Sequence, residues 1–176
     1  MADAALAFET ITRLADRIGA GTLSPVSIVE ELLGRIDALD GRLRSFIRVM
    51  PGQALAQARA AEIALKCGAN LGILHGIPYA AKDLFDVKGA PTTAGTHLLA
   101  HNVAAQDATV VRKLTAAGMV LLGKTHTVQF AYGAAGINHD QGTPHNPWHS
   151  VPHAPGGSSS GSAVAVAAGL VPMALG

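Results

Sequence analysis

The sequence predicts an α/β chain on three observations. Apolar residues recur at helical spacing in three segments of the first 66 residues. From Gly68 onward Gly, Pro and Thr become frequent, and short β-like runs appear between turns. Beyond Asp107 a helix-patterned segment passes directly into a buried-strand pattern at Met119 to Leu122, the alternation expected of α/β architecture.

Each element has its own local reason. Ile11, Leu14, Ala15 and Ile18 make the first apolar stripe, which Gly19 and Gly21 end. Ser24 can accept from otherwise unpaired N–H groups, and Pro25 lacks the donor that the first helical position leaves idle. A second helix therefore opens there, with Ile28, Val29, Leu32, Leu33, Ile36 and Leu39 on one face. A strand-like run, Ser45 to Val49, precedes an Ala-rich helix from Pro51 to Lys66. Nothing in these segments groups into a reactive set, so they read as scaffold. Next, Leu71 to Leu74 leads through His75-Gly76-Ile77-Pro78 to Lys82, with Ala80 and Ala81 leaving room around that lysine. Asp107 is the expected N-cap of a helix bearing Val110, Val111, Leu114 and Ala117, closed by Gly118. Residues Asn138 to Pro155, rich in Pro, His and Gly, read as loop.

Composition narrows the functional classes. Of the 176 residues 49% are hydrophobic, only 14% charged and 4% aromatic, which suits part of a larger body better than a free small domain. A net charge of +1 gives no electrostatic footprint for nucleic acid or an anionic membrane. The single cysteine, Cys67, excludes a disulfide within the chain and fits a reducing cytoplasm. Asp3, Glu9, Arg13, Asp16 and Arg17 interrupt any apolar leader core between Met1 and Ala20, and Val164 to Gly176 is short and broken by Pro172. A soluble, cytoplasmic protein is expected.

Three motif matches fail in context. Gly118 to Thr125 satisfies the Walker A pattern letter for letter, but its middle residues are themselves the apolar strand, whereas a phosphate-cradling loop must follow one. Gly157-Ser158-Ser159-Ser160-Gly161 fits a nucleophile elbow, yet no strand pattern precedes it and no Asp, Glu or His follows. His145, His149 and His153 stand at four-residue intervals, but Pro144, Pro147, Pro152 and Pro155 forbid the helix that would align them, leaving at most a loop His pair for zinc.

The remaining chemistry centres on Pro155-Gly156-Gly157-Ser158-Ser159-Ser160-Gly161-Ser162, a leading pair of glycines followed by four hydroxyls within five positions, running into an apolar helix-competent segment. Serine is a poor nucleophile until a base takes its proton, and lysine serves as that base only where the neutral amine is favoured. Lys82 is the best-placed candidate, while Lys66, Lys88 and Lys113 read as surface charges. The competing reading of Lys82 is a salt bridge with Asp83 or Asp86.

The set Gly76-Ile77-Pro78, Lys82-Asp83, Thr92-Thr93-x-Gly95, Asp107-Ala108, Ala117-Gly118, Gly123-Lys124-Thr125, Phe130-Ala131, Asn146-Pro147 and Pro155-Gly156-Gly157-Ser158-Ser159 resembles the amidase signature family in order and spacing. The resemblance implies a layered α/β/α fold with a mixed sheet, with residues 1–70 an N-terminal helical segment and 71–176 an incomplete core. It implies amide hydrolysis through an acyl-enzyme, with Lys82 as base and Ser158 as a bridging serine that follows a cis peptide bond at Gly157. Ser159, Gly157 and Gln129 would support the site or bind substrate, and no metal or cofactor is called for. Gln129 stands where many members have Glu, and Ser160 where many have Gly. The family's nucleophile lies in a Gly-Thr-Asp-x-Gly-Gly-Ser stretch that these 176 residues do not contain. The chain by itself is therefore expected to be inactive and to need the remainder of the domain for a closed core. A small amide is the expected partner, and a homodimer stays open. The loop Gly142 to Trp148 and His126 favour a stand-alone amidase over the amidase subunit of a tRNA-dependent amidotransferase. A truncated gene product or a non-catalytic binding module is the reading from outside the enzyme class.

Overall fold

A computed structural model describes residues 6–176. The expectation for Met1 to Ala20 rests partly on Asp3, which lies outside the described residues. The ordered elements are α1 (Ile11–Gly19), α2 (Pro25–Leu43), β1 (Phe46–Val49), α3 (Pro51–Lys66), β2 (Pro78–Lys82), α4 (Thr109–Ala116), β3 (Val120–Thr125), α5 (Ser160–Ala167) and β4 (Ala174–Leu175). No helix among the described residues is long and apolar enough to cross a membrane.

The first three helices form where local chemistry places them. Ser24 Oγ accepts from the Val26 and Ser27 amides, and Pro25 opens α2 as expected. Arg44 adopts a left-handed conformation with φ 55° and ends that helix. The Asp40 carboxylate then takes the backbone N–H groups of Ser45 (2.8 Å) and Phe46 (3.0 Å), and so turns the chain from α2 into β1. Donors freed at the turn are thereby paired before the strand begins.

The four strands form one mixed sheet in the order β1-β3-β2-β4, with β1 antiparallel to β3 and both β3 and β4 parallel to β2. Every residue of β2 and β3 is buried, so both faces of this central pair are covered, as parallel strands require. The helix α3 packs on β3 and on α2, while α5 packs on β2, β3 and β4. Leu14, Ile28, Leu32, Ile77, Tyr79, Leu121, Leu122 and Leu170 belong to one continuous apolar core that joins helices and sheet. Gly123 marks a tight strand approach: a Cβ there would lie 2.2 Å from the Arg48 carbonyl oxygen, one pair beyond the irregularity in the β1–β3 register.

Two expectations need correction. Asp107 does not cap α4; the N-cap is Ala108 without a side-chain bond, and the Asp107 carboxylate instead accepts from the Lys88 amide at 2.7 Å. The strand expected to stop at Leu122 continues to Thr125, because Lys124 and Thr125 find polar partners inside the protein and need not reach solvent.

Candidate active site

Two parallel strands deliver the site's floor. Lys82 ends β2 and Thr125 ends β3, and the two are register partners. Above them runs the irregular chain between Thr127 and Ser159. The Gly157–Ser158 peptide is cis. No side chain fits at Gly157, since a Cβ there would lie 2.8 Å from the Cα of Gly136 and 3.0 Å from the Gly133 carbonyl oxygen. The Ser158 carbonyl accepts from the Val128 amide (3.0 Å) and from the Thr127 hydroxyl (3.1 Å). Ser159 follows and α5 begins directly after it.

The sequence-predicted pair meets. Lys82 Nζ donates to Ser158 Oγ and to Ser159 Oγ, both at 2.8 Å. Only 5% of Lys82 is exposed, and burial pushes its pKa below the ordinary 10.5, because the ammonium has lost water without gaining a carboxylate. The alternative salt bridge to Asp83 is not formed. Asp83 instead pairs with Lys124, Nζ to Oδ1 at 2.6 Å, and its other oxygen accepts from the Thr93 amide (2.9 Å) and the Thr93 hydroxyl.

Gln129 lies in a 3-10 turn, Gln129–Ala131, with its residue exposed and outside the Lys82–Ser158–Ser159 hydrogen bonds. The Walker-type residues Val120 to Thr125 are strand, with Lys124 fully buried. His149 and His153 contact each other with ring centroids 4.2 Å apart and planes tilted by 53°, and the His145 amide donates to the Leu43 carbonyl.

Sequence reasoning missed three supports. The Asp83–Lys124 pair was detectable, since a lysine within a buried-strand pattern needs a buried anion. Ser162 Oγ meets Thr125 Oγ1 and donates to the Leu175 carbonyl, both at 2.7 Å, and so links α5, β3 and β4. Gly176 consequently lies beside Ser159, where a Cβ on it would sit 3.0 Å from Oγ. The Thr127 and Val128 contacts to Ser158 involve a hydroxyl and an amide with no motif to announce them.

A buried amine bonded to two hydroxyls can exchange protons with them when it is neutral. Known proteins resemble the chain in sequence and fold. The chain is 45% identical over 167 residues to a subunit of the glutamyl-tRNA(Gln) amidotransferase of Acinetobacter baumannii strain AYE, covering 95% of this chain and 34% of that one. It superposes on the peptide amidase of Stenotrophomonas maltophilia with a TM-score of 0.86 and 38% identity, over 92% of this chain and 34% of the other. A bacterial aryl acylamidase belonging to the amidase signature enzymes matches with a TM-score of 0.87 and 27% identity, over 93% and 34% of the two chains. The chain thus spans about a third of the length of these relatives. Its residues 27–176 match the family described as Amidase, and by that match, with this fold and these relatives, the chain belongs to the amidase signature family.

Proposed function

We propose that these residues form the base-and-relay half of a Ser-cisSer-Lys amide hydrolase acting through an acyl-enzyme. The observation that carries this reading is Lys82, buried and bonded at 2.8 Å to two hydroxyls, with no carboxylate partner among the described residues. A neutral Lys82 takes the Ser158 hydroxyl proton, and Ser158 in turn takes the proton of a serine nucleophile as that oxygen adds to the substrate carbonyl. The same path run backwards delivers the proton to the departing amine, leaving an acyl-serine for water to cleave. The nucleophile stretch of the family is absent from the 176 residues, so these residues alone hydrolyse no amide at a useful rate. Loss of a nucleophile by itself costs a rate factor on the order of 10⁶. The substrate class is a small amide, and the lone, exposed Cys67 is compatible with a cytoplasmic protein.

The test is made on a chain that also carries the nucleophile stretch. Lys82→Ala and Ser158→Ala are each expected to lower kcat/KM for amide hydrolysis by orders of magnitude, and unchanged rates would remove the assignment. A second reading, the amidase component of a tRNA-dependent amidotransferase, is favoured by the A. baumannii relative. Co-purification of partner proteins together with tRNA-dependent glutamine hydrolysis would establish it over a stand-alone enzyme.

A further inference from the structure

Asn138 lies 20 residues before Ser158 in a loop that carries no motif of its own, yet it is 3% exposed and every polar group on its side chain is engaged. Its Nδ2 donates to the Gly95 carbonyl at 2.7 Å and to the Thr127 carbonyl at 2.9 Å. Its Oδ1 accepts from the Asp140 and Gln141 amides, both at 2.9 Å. The Asn138 amide donates to Thr143 Oγ1 at 2.9 Å, and that hydroxyl donates to the Asn138 carbonyl at 3.2 Å. A buried amide with all its bonds made holds its neighbours in one arrangement, because any other arrangement strands a donor or an acceptor away from water.

The Thr127 bond matters most. The Thr127 carbonyl and the Val128 amide belong to one planar peptide unit. Asn138 grips that unit by its oxygen, and the same unit donates its N–H to the Ser158 carbonyl at 3.0 Å. Ser158 Oγ is in turn one of the two partners of Lys82 Nζ. The chain of contacts is therefore Gly95 carbonyl, Asn138 amide, Thr127–Val128 peptide, Ser158 carbonyl, and then the Ser158 hydroxyl on Lys82. Two nearby packing contacts act on the same segment, since Gly136, two residues before Asn138, abuts Gly156 and Gly157 so closely that a Cβ on it would lie 2.1 Å from the Gly156 carbonyl oxygen.

We propose that Asn138 is a positioning residue for the reaction: through the Thr127–Val128 peptide it holds Ser158 at the distance and angle at which the hydroxyl engages Lys82. This proposal rests on the reading of Lys82 and Ser158 given above. The residue touches neither substrate nor reacting atoms. Its action is to keep one peptide plane from rotating, so that the Ser158 carbonyl stays docked and the side chain stays aimed.

The test uses Asn138→Asp, Asn138→Ser and Gln141→Leu in the full 176-residue chain. Asn138→Asp keeps the shape and the two acceptor contacts but turns both donors into oxygen facing the Gly95 and Thr127 carbonyls. Asn138→Ser is uncharged and keeps one donor, so it carries the test should the aspartate variant not fold. Gln141→Leu breaks the neighbouring contact of Gln141 with Thr93 in the same loop, without touching the peptide unit. Amide hydrogen exchange at Val128 is the first readout, and it is expected to be about tenfold faster or more in Asn138→Asp, less so in Asn138→Ser, and unchanged in Gln141→Leu. Retained Val128 protection in a folded Asn138 variant overturns the proposal, as does equal loss in Gln141→Leu, which would mean general loosening of the loop. The second readout is the pH midpoint for acylation of Lys82 by an amine-selective reagent, with Nα-acetyl-lysine and a short unfolded lysine peptide as standards. That midpoint lies below the standards in the parent chain and moves up toward them in Asn138→Asp, but not in Gln141→Leu. If Lys82 already titrates with the standards in the parent chain, the base reading fails, while the Val128 exchange still decides the coupling through Asn138.

Discussion

Lys82 and Lys124 lie at the ends of adjacent parallel strands one register step apart, both are buried, and they have opposite environments. Lys124 is fully buried against the Asp83 carboxylate and also donates to the Pro91 carbonyl at 3.2 Å. Lys82 has two serine hydroxyls and, among the described residues, no anion. The buried ion pair is a closed arrangement in which each charge cancels the other. The amine on hydroxyls is open, because nothing but hydrogen bonding compensates the proton it carries, and burial makes that proton easier to lose. Asp83 follows Lys82 directly in the chain but is bonded to Lys124 and Thr93, on the opposite side of the strand end from the Lys82 amine.

Experiments that break this contrast fall in a clear order of size. Lys124→Met leaves the Asp83 carboxylate buried and unpaired and is expected to destabilise the fold by about 3–5 kcal/mol in urea unfolding. Adding Asp83→Asn to that variant should recover most of the loss, and a double variant as unstable as the single one would show that charge pairing is not what Lys124 supplies. Gly123→Ala, beside Lys124, pushes a Cβ into the Arg48 carbonyl and is expected to cost about 1–3 kcal/mol with little change around Lys82. Lys82→Met removes two bonds to hydroxyls and is expected to change stability by about 1 kcal/mol only. A loss matching that of Lys124→Met would erase the distinction between the two lysines.

The smallest effect is also the most specific. The pKa of Lys82 in the fold lies below 10.5, its ordinary value, so in the window between the two the unfolded chain holds a proton that the folded chain has released. Stability rises with pH wherever the unfolded state binds more protons. The Lys82 contribution therefore opposes folding below its folded pKa and is relieved as pH climbs toward 10.5. Urea unfolding over a pH series should show this upward contribution, and Lys82→Met should flatten it. A slope that Lys82→Met leaves untouched would place Lys82 among ordinary solvated lysines.

The helical half was the more legible part of the molecule. Ser24 with Pro25 and the stripe from Ile28 to Ile36 read correctly because capping and amphipathic spacing are properties of neighbouring residues. The helix expected roughly from Pro51 to Lys66 forms over that range, with Pro at its start and Gly68 beyond its end. Local rules misjudged Asp107, whose carboxylate serves the Lys88 amide across a loop. They also ended β3 early, because hydropathy counts Lys124 and Thr125 as surface residues unless Asp83 and Ser162 are known to be waiting for them. At the site, residue chemistry singled out Lys82 and the Gly-Gly-Ser-Ser block, and family resemblance assigned the relay role to Ser158. Thr127, Asn138 and Ser162 receive no role from the sequence, since a polar residue in a loop or a short helix has no assignable partner until the fold places one.

By itself the sequence determined where α2 and α3 begin, that the chain alternates into α/β, and which residues could carry proton-transfer chemistry, because those depend on contacts within a few positions. Folding decided that Lys82 meets a hydroxyl 76 positions away while its neighbour Asp83 goes to a different lysine. Those choices depend on strand order and on which buried polar groups find partners when water is excluded, and both are settled only when the whole sheet is assembled.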